Sequence, residues 1–237
     1  MANGIYIGMA GASARLDQLD SIADNLANAD SAGFKAERPA FESFLPTGET
    51  VGPQAPVAVS TALDLRDGAQ KSTGRPLDVI PESGAFLSVS LGENKIGYTR
   101  NGQITIGADG FLMAAGHPLL DSQGQPIPVP PGEHMTLSPE GTLSVKNTQL
   151  AQLGTYKLSG PLERLGSSII GVGPGGTALP ASGHVQTGML ELSNTTAIES
   201  MVQMIGAQRN YDASMQAIQI YKTMGSRAGQ LGTLQQE

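Results

Sequence analysis

A proline-free run closes this chain, and its length limits what the rest can be. No proline occurs from Ala181 to Glu237, and from Ser193 the sequence reads SNTTAIESMVQMIGAQRNYDASMQAIQIYKTMGSRAGQLGTL. Thr196, followed three residues later by Glu199, forms a capping box. Met201, Met204, Tyr211, Met215 and Ile218 then recur at steps of three, four and seven, backed by Ile198 and Ile205. The pattern predicts a helix of roughly 30 residues, about 45 Å long at 1.5 Å per residue. That is longer than a small domain is wide, so the helix requires a partner along its length.

The other end of the chain offers one. Ile5, Met9, Ala12, Leu16, Leu19, Ala23 and Leu26 alternate gaps of four and three, the spacing of a heptad seam. An amphipathic helix on a globular core fits the same stripe, but the narrow seam of small residues suits helix-on-helix contact better. The stripe then stops in NLANADSAGFKAERPAF, residues Asn25 to Phe41. Asn28 and Asp30 are placed to hydrogen-bond backbone groups released at the helix end, and Gly33 to take the left-handed geometry that other residues resist. Phe34, alone in a polar run, is expected to pin the departing chain against a neighbour.

Between the ends the periodicity changes. AFLSVSL, IGYTRN, QITIGA, HMTLSP and GTLSVKN read as short strands, punctuated by the turn pairs Asn101-Gly102, Asp109-Gly110, Gln123-Gly124 and Glu140-Gly141. Ahead of them, Glu37 to Gly74 carries Pro39, Pro46, Pro53 and Pro56 with little periodicity, and reads as an extended connector containing a strand or two. The predicted class is α+β: long N- and C-terminal helices pairing as a coiled-coil-like inner domain, with a small antiparallel β-domain inserted. The expected division is an N-terminal helix over 1–36, a connector over 37–74, a β-rich outer domain over 75–192 and a C-terminal helix over 193–237.

Charge and composition narrow the function. A net charge of −7 with 14 scattered basic residues argues against a nucleic-acid footprint or an electrostatic membrane anchor. The absence of cysteine removes disulfides, thiolate metal sites and cysteine nucleophiles. GVGPGG, Gly171 to Gly176, matches GxGxxG, but Pro180 blocks the helix that a dinucleotide fingerprint needs, so the stretch reads as a flexible connector. His117, His134 and His184 lack helical metal-ligand spacing. Asp78, Asp109 and Asp121 could be imagined as paired acids of a β-rich hydrolase, and a polar pocket joining Asp78 to Asp109 would support that rival. Two of them lie beside turn-type residues, where Asp is expected for backbone reasons, and a structural role explains all three more simply. A monomeric surface adhesin is a third reading, and it would require the terminal helices to form a closed bundle. No cofactor, small-molecule substrate or nucleic acid is expected.

Three separated stretches carry a resemblance. Ala23 to Lys35, ADNLANADSAGFK, is similar to the ANNxANxxTxGFK-like signature that ends the first helix in the axial proteins of the bacterial flagellum, the rod and hook family; Asp24 and Ser31-Ala32 depart from it. RPLDVIPESGAFLSVSLGENKIGYTRNG resembles the family's core segment, and MLELSNTTAIESMVQMIGAQRNYDASMQAIQ its closing segment, with the Gln208, Arg209, Tyr211 step. Length and wording look most like the proximal rod type, the distal rod type being the alternative.

The resemblance implies a non-enzymatic subunit of the flagellar rod. It would polymerise with other copies of itself and with rod proteins of the FlgB, FlgC and FlgG types. It also implies passage through the flagellar type III export apparatus into the basal body in the periplasm, in keeping with an N-terminus that does not read as a cleaved signal peptide. The residues expected to carry assembly are Leu16, Leu19, Leu26, Asn28, Gly33 and Phe34 at one end, and Met204, Tyr211, Met215 and Ile218 at the other.

Overall fold

A computed structural model of the chain describes residues 2–43, 57–92, 95–130, 135–146 and 148–233. Pro46, Pro53, Pro56 and His134 lie outside the described residues. By contact, the chain divides into two compact units: Met1–Ala27, Glu37–Ala62 and Ala197–Glu237 form one, Asn28–Ala36 and Leu63–Thr196 the other.

The first unit holds helix α1, Ala2–Ala27, and helix α2, Ala197–Thr233. Helix α2 begins directly after Thr196, with Glu199 in its first turn, as the capping pattern requires. The two helices approach each other in antiparallel order: Gly8 meets Ile218, while Ile22 shares a cavity with Ala207 nearer the other ends. A Cβ on Gly8 would come within 2.7 Å of Ile218, so a small residue is needed there. Strand Glu37–Ser43 pairs with Val57–Leu63 in the same unit.

The expected coiled-coil-like inner domain with a small β-insert does not hold. Met9 and Leu16, two members of the predicted seam, are 55% and 45% exposed, and Ala23 is exposed as well. Ala12 of the seam is buried, but helix α1 otherwise turns Ala14, Ser21, Ile22 and Asn25 inward, a face displaced from the apolar stripe and built mostly of small side chains. Small residues let helix backbones come close but supply no interlocking apolar knobs. Nor is the β-part a small insert: apart from the two helices, the described chain is β-rich throughout. Only the coarse α+β class stands.

The larger unit is built around a six-stranded antiparallel sheet in the order Leu162–Arg164, Ile169–Val172, Ile96–Thr99, Ala85–Ser90, Thr155–Ser159, Thr177–Pro180. Strand Ala85–Ser90 shows why the sheet is central. Successive side chains point to opposite faces; Leu87 and Val89 join a core with Ile104, Leu112 and Leu153, while Phe86 joins Tyr98 and Ile170 in a second. Tyr98 meets Tyr156 edge-on, centroids 5.6 Å apart at 65°, so the second core draws on two of the chain's few aromatics. Smaller sheets accompany the first core: Met135–Leu137, Thr142–Val145 and Thr148–Gln152 form one, Thr105–Ile106, Leu112–Ala114 and His117–Pro118 another.

Three of the predicted turn pairs make reverse turns, with Gly110, Gly124 and Gly141 each donating to a carbonyl three residues back. Asn101-Gly102 does not. Glycine is needed there because the chain runs close beside Val79, whose carbonyl a Cβ on Gly102 would strike. GVGPGG is likewise no flexible connector: it finishes strand Ile169–Val172, turns with Gly176 donating to the Gly173 carbonyl, and enters strand Thr177–Pro180.

Candidate functional site

The chain leaving α1 enters the larger unit as residues 28–36, where its polar groups are satisfied one after another. Ser31 donates its amide to the Asn28 carbonyl at 3.1 Å and its hydroxyl to Asn28 Oδ1 at 3.2 Å, closing the local turn. Gly33 has φ of 67°, the left-handed geometry expected of it, and donates its amide to the Glu191 carbonyl. A Cβ there would strike the backbone of Arg100 and Asn101, so space and conformation both select glycine.

Phe34 is fully buried, and the Arg164 guanidinium lies over its ring at 4.5 Å, a contact within the same chain. Arg164 also donates to the Lys35 carbonyl at 2.5 Å. One side chain thus covers the aromatic ring and ties down the backbone just beyond it.

Beside it lies a buried ion network. Lys35 is 1% exposed, and its ammonium donates to Glu191 Oε1 at 2.7 Å and to the Arg66 carbonyl at 2.6 Å. Glu191 Oε1 also accepts the Gly68 amide, while Oε2 accepts Arg100 Nε at 2.7 Å. Arg100 spends its remaining donors on the Pro81, Glu82 and Ala85 carbonyls and on Asp67. Buried charges persist only when paired and hydrogen-bonded, and this set satisfies both conditions, two buried cations against the buried Glu191 and the partly exposed Asp67. The GFK, YTRNG and MLEL stretches that carry the family resemblance thus converge on one point, each supplying a charge.

Asn194, near the start of α2, completes the lattice. Its Oδ1 accepts the Ala36 amide at 2.7 Å, its amide donates to the Phe34 carbonyl, and its Nδ2 donates to the Asp64 carbonyl at 2.7 Å. In the helical unit Asn25 plays a parallel part: Nδ2 donates to the Glu37 carbonyl at 2.8 Å and Oδ1 accepts the Glu37 amide at 2.9 Å.

The sequence-predicted assembly residues divide. Gly33 and Phe34 are buried in the exit, and Asn28, half-buried, shapes its turn. Met204, Tyr211 and Ile218 are half-buried on one stripe of α2 with Ser200 and Ala207. Leu19 and Leu26 are half-buried on α1, whereas Leu16 and Met215 are exposed. Sequence reasoning missed Lys35, Arg100, Glu191 and Asn194, although in a chain with so few charges the charged positions inside apolar stretches were a usable signal.

The paired-acid idea finds no geometry. Asp78 is 1% exposed, with Arg75 Nε 3.5 Å from its Oδ1, an oxygen that has no hydrogen bond. Asp109 is exposed in a turn, and Asp121 Oδ1 accepts the Gln123 and Gln125 amides, a turn-capping role. A cavity of about 210 Å³ is lined by Glu82, Pro139, His184, Val185 and Gln186 and touches neither Asp78 nor Asp109. There the Ser182 hydroxyl, assisted by Lys157 and His184, holds the Glu82 carboxyl below its ordinary range. Among the described residues, no three His, Asp or Glu side chains are grouped to share a metal. No helix among them is long and apolar enough to cross a membrane.

Comparison with known proteins adds a second line of evidence. Residues 5–35 match the family model described as flagella basal body rod protein, and residues 186–231 the one described as flagellar basal body rod FlgEFG protein C-terminal. The chain is 33% identical to the flagellar basal-body rod protein FlgF of Salmonella typhimurium, with 98% of each chain covered, and equally so to that of Escherichia coli. It is 29% identical to the flagellar basal-body rod protein FlgG of Borreliella burgdorferi, over 94% of this chain and 96% of that one.

Proposed function

The chain belongs to the flagellar basal-body rod protein family, and from that premise we propose how it serves the rod. It is a structural rod subunit of the flagellar basal body, assembling with other rod proteins. In our reading it polymerises with other copies of itself and with rod proteins of the FlgB, FlgC and FlgG types into the helical shaft that passes motor torque to the hook. It reaches the periplasm through the flagellar type III export apparatus. Its work is packing, not catalysis, and its contacts are heterologous, as an open helical polymer requires.

One observation carries this reading. The chain leaving α1 and the chain entering α2 are held side by side by paired groups: Phe34 and Ala36 bond to the half-buried Asn194, and Lys35 bonds to the buried Glu191. A shaft subunit carries load through the segments that lead to its helices, and within the larger unit a charge-paired anchor fixes both of those segments. Of the expected assembly residues, Gly33, Phe34 and Asn28 set the exit, and Met204, Tyr211 and Ile218 set the inner stripe of α2. Leu16 and Met215 remain available to a neighbour, with Leu19 and Leu26 at the border.

Imaging of isolated basal bodies carrying the labelled chain tests the proposal. The label is expected within the rod, and deletion of the chain is expected to leave rods incomplete. A chain missing from basal bodies, or complete rods and normal swimming in the deletion strain, overturns it.

A further inference from the structure

Each helix of the first unit presents an outward stripe that its own partner helix does not cover. On α1, Gly8 and Ile22 face α2, so Met9, Ser13, Leu16 and Asp20 lie on the opposite side, and all four are exposed. On α2, Ala207 and Ile218 face α1, which leaves Ile198, Val202, Ile205 and Arg209 outward. Ile198 is 77% exposed and Val202 65%, a large apolar exposure for aliphatic residues in a folded chain. The two stripes share one spacing, four, three and four, and both close on a charge. The first and third positions are apolar on both helices, and the second sets the small Ser13 of α1 beside the aliphatic Val202 of α2 as its counterpart. The closing charges are opposite, and among the described residues no ion pair engages Asp20 or Arg209.

We propose that the outward stripe of α1 in one copy docks in parallel on the outward stripe of α2 in a second copy, with Asp20 against Arg209. This rests on the rod-subunit reading and names the partner and register of its helical contact. In that register Met9 meets Ile198, Leu16 meets Ile205, and between them Ser13 leaves room for Val202, a seam about 16 Å long at 1.5 Å per residue. The serine hydroxyl stays satisfied in such a contact by bonding back to its own helix backbone, as serine in a helix interior can. The antiparallel alternative sets Asp20 against Ile198 and Met9 against Arg209, stranding both charges on apolar neighbours. The stripes of one chain cannot meet each other, since each points away from the other helix, so the occupant is another chain. Every copy offers one stripe of each kind, so the contact is heterologous and leaves each bound copy a free stripe for the next.

In the native bacterium with this chain as its only version, Asp20→Arg and Arg209→Asp are each expected to reduce completed rods at least about tenfold, through like charges placed opposite each other. The double exchange should restore rods to within about twofold of normal. A double variant as defective as the singles overturns docking between copies and assigns the stripes to another rod subunit. Singles that assemble normally overturn the register. Because the chain has no cysteine, Leu16→Cys combined with Ile205→Cys reads the contact directly: basal bodies should yield disulfide-linked species of two or more chains. Leu16→Cys with Ile220→Cys should not, and the reverse result overturns the proposal. Complete rods in the deletion strain would defeat the rod-subunit reading itself. Rods lost on deletion but intact in both charge variants would defeat the docking alone.

Discussion

At the helix exit, Lys35 and Arg100 are charged and only 1% and 2% exposed, each held by several partners; on α2, Ile198 and Val202 are apolar yet 77% and 65% exposed. Each region breaks the ordinary rule of burial, in opposite directions. A buried charge without partners costs several kcal/mol, so the exit is a region the chain had to finish by itself. An exposed aliphatic side chain costs far less in a monomer and gains when covered, so the outer face of α2 can wait for another molecule. The contrast separates a region that the fold itself completes from a face that the fold leaves uncovered.

The sharpest way to break the comparison is to remove the hub of the finished region. Glu191→Ala leaves Lys35 and Arg100 buried without their shared carboxylate and should destabilise the larger unit by about 3–5 kcal/mol. Denaturant unfolding followed by β-sheet circular dichroism measures it. A change under about 1 kcal/mol would mean that the network is not closed in solution.

Gly33→Val comes next. It combines a left-handed φ with a side chain driven into the Arg100 and Asn101 backbone, and should cost about 3 kcal/mol. Motility should be lost while the β-rich unit still folds. Normal swimming would show that the exit tolerates another path.

A milder change probes the helical unit. Asn25→Ala strips two hydrogen bonds from the Glu37 backbone, worth about 1–2 kcal/mol locally. Amide exchange at Glu37 should quicken while exchange within residues 63–196 stays as it was. Quickening throughout both units would mean that they unfold as one.

The smallest effect lies at high pH. Burial, with a lesser contribution from Tyr156, raises the Tyr98 phenol above its ordinary range. The folded chain therefore holds this proton more tightly than the unfolded one, and the resulting stability is present below the unfolded pKa of about 10 and lost as pH rises past it. Tyr98→Phe should flatten the alkaline end of the stability curve and leave neutral pH nearly unchanged. Identical alkaline slopes in the two proteins would place Tyr98 in contact with water.

Both helices were legible from periodicity, and so was the strand Ala85–Ser90, because those patterns are set by near neighbours. The face that α1 buries was not. Its apolar stripe pointed to Met9 and Leu16, but the close approach at Gly8 and Ile218 admits only small residues, and small residues leave little trace in a hydrophobic pattern. Asn101-Gly102 misled for a related reason: glycine there serves a tight passage beside Val79, a need that looks identical to a turn in one dimension. Gly33 was legible because a left-handed position follows from the local chain alone.

By itself the sequence determined the periodic elements, the left-handed exit at Gly33, and the wording that ties three distant stretches to one family. The tertiary structure alone decided which charges go inside. Lys35 meets Glu191 across 156 positions and Arg100 meets it across 91. A lysine or arginine in a string of residues reads as a surface residue, since its burial is unfavourable until a carboxylate and several carbonyls converge on it. That convergence depends on sheet order and on where the exit lands, quantities fixed by packing across the whole larger unit and absent from any local pattern.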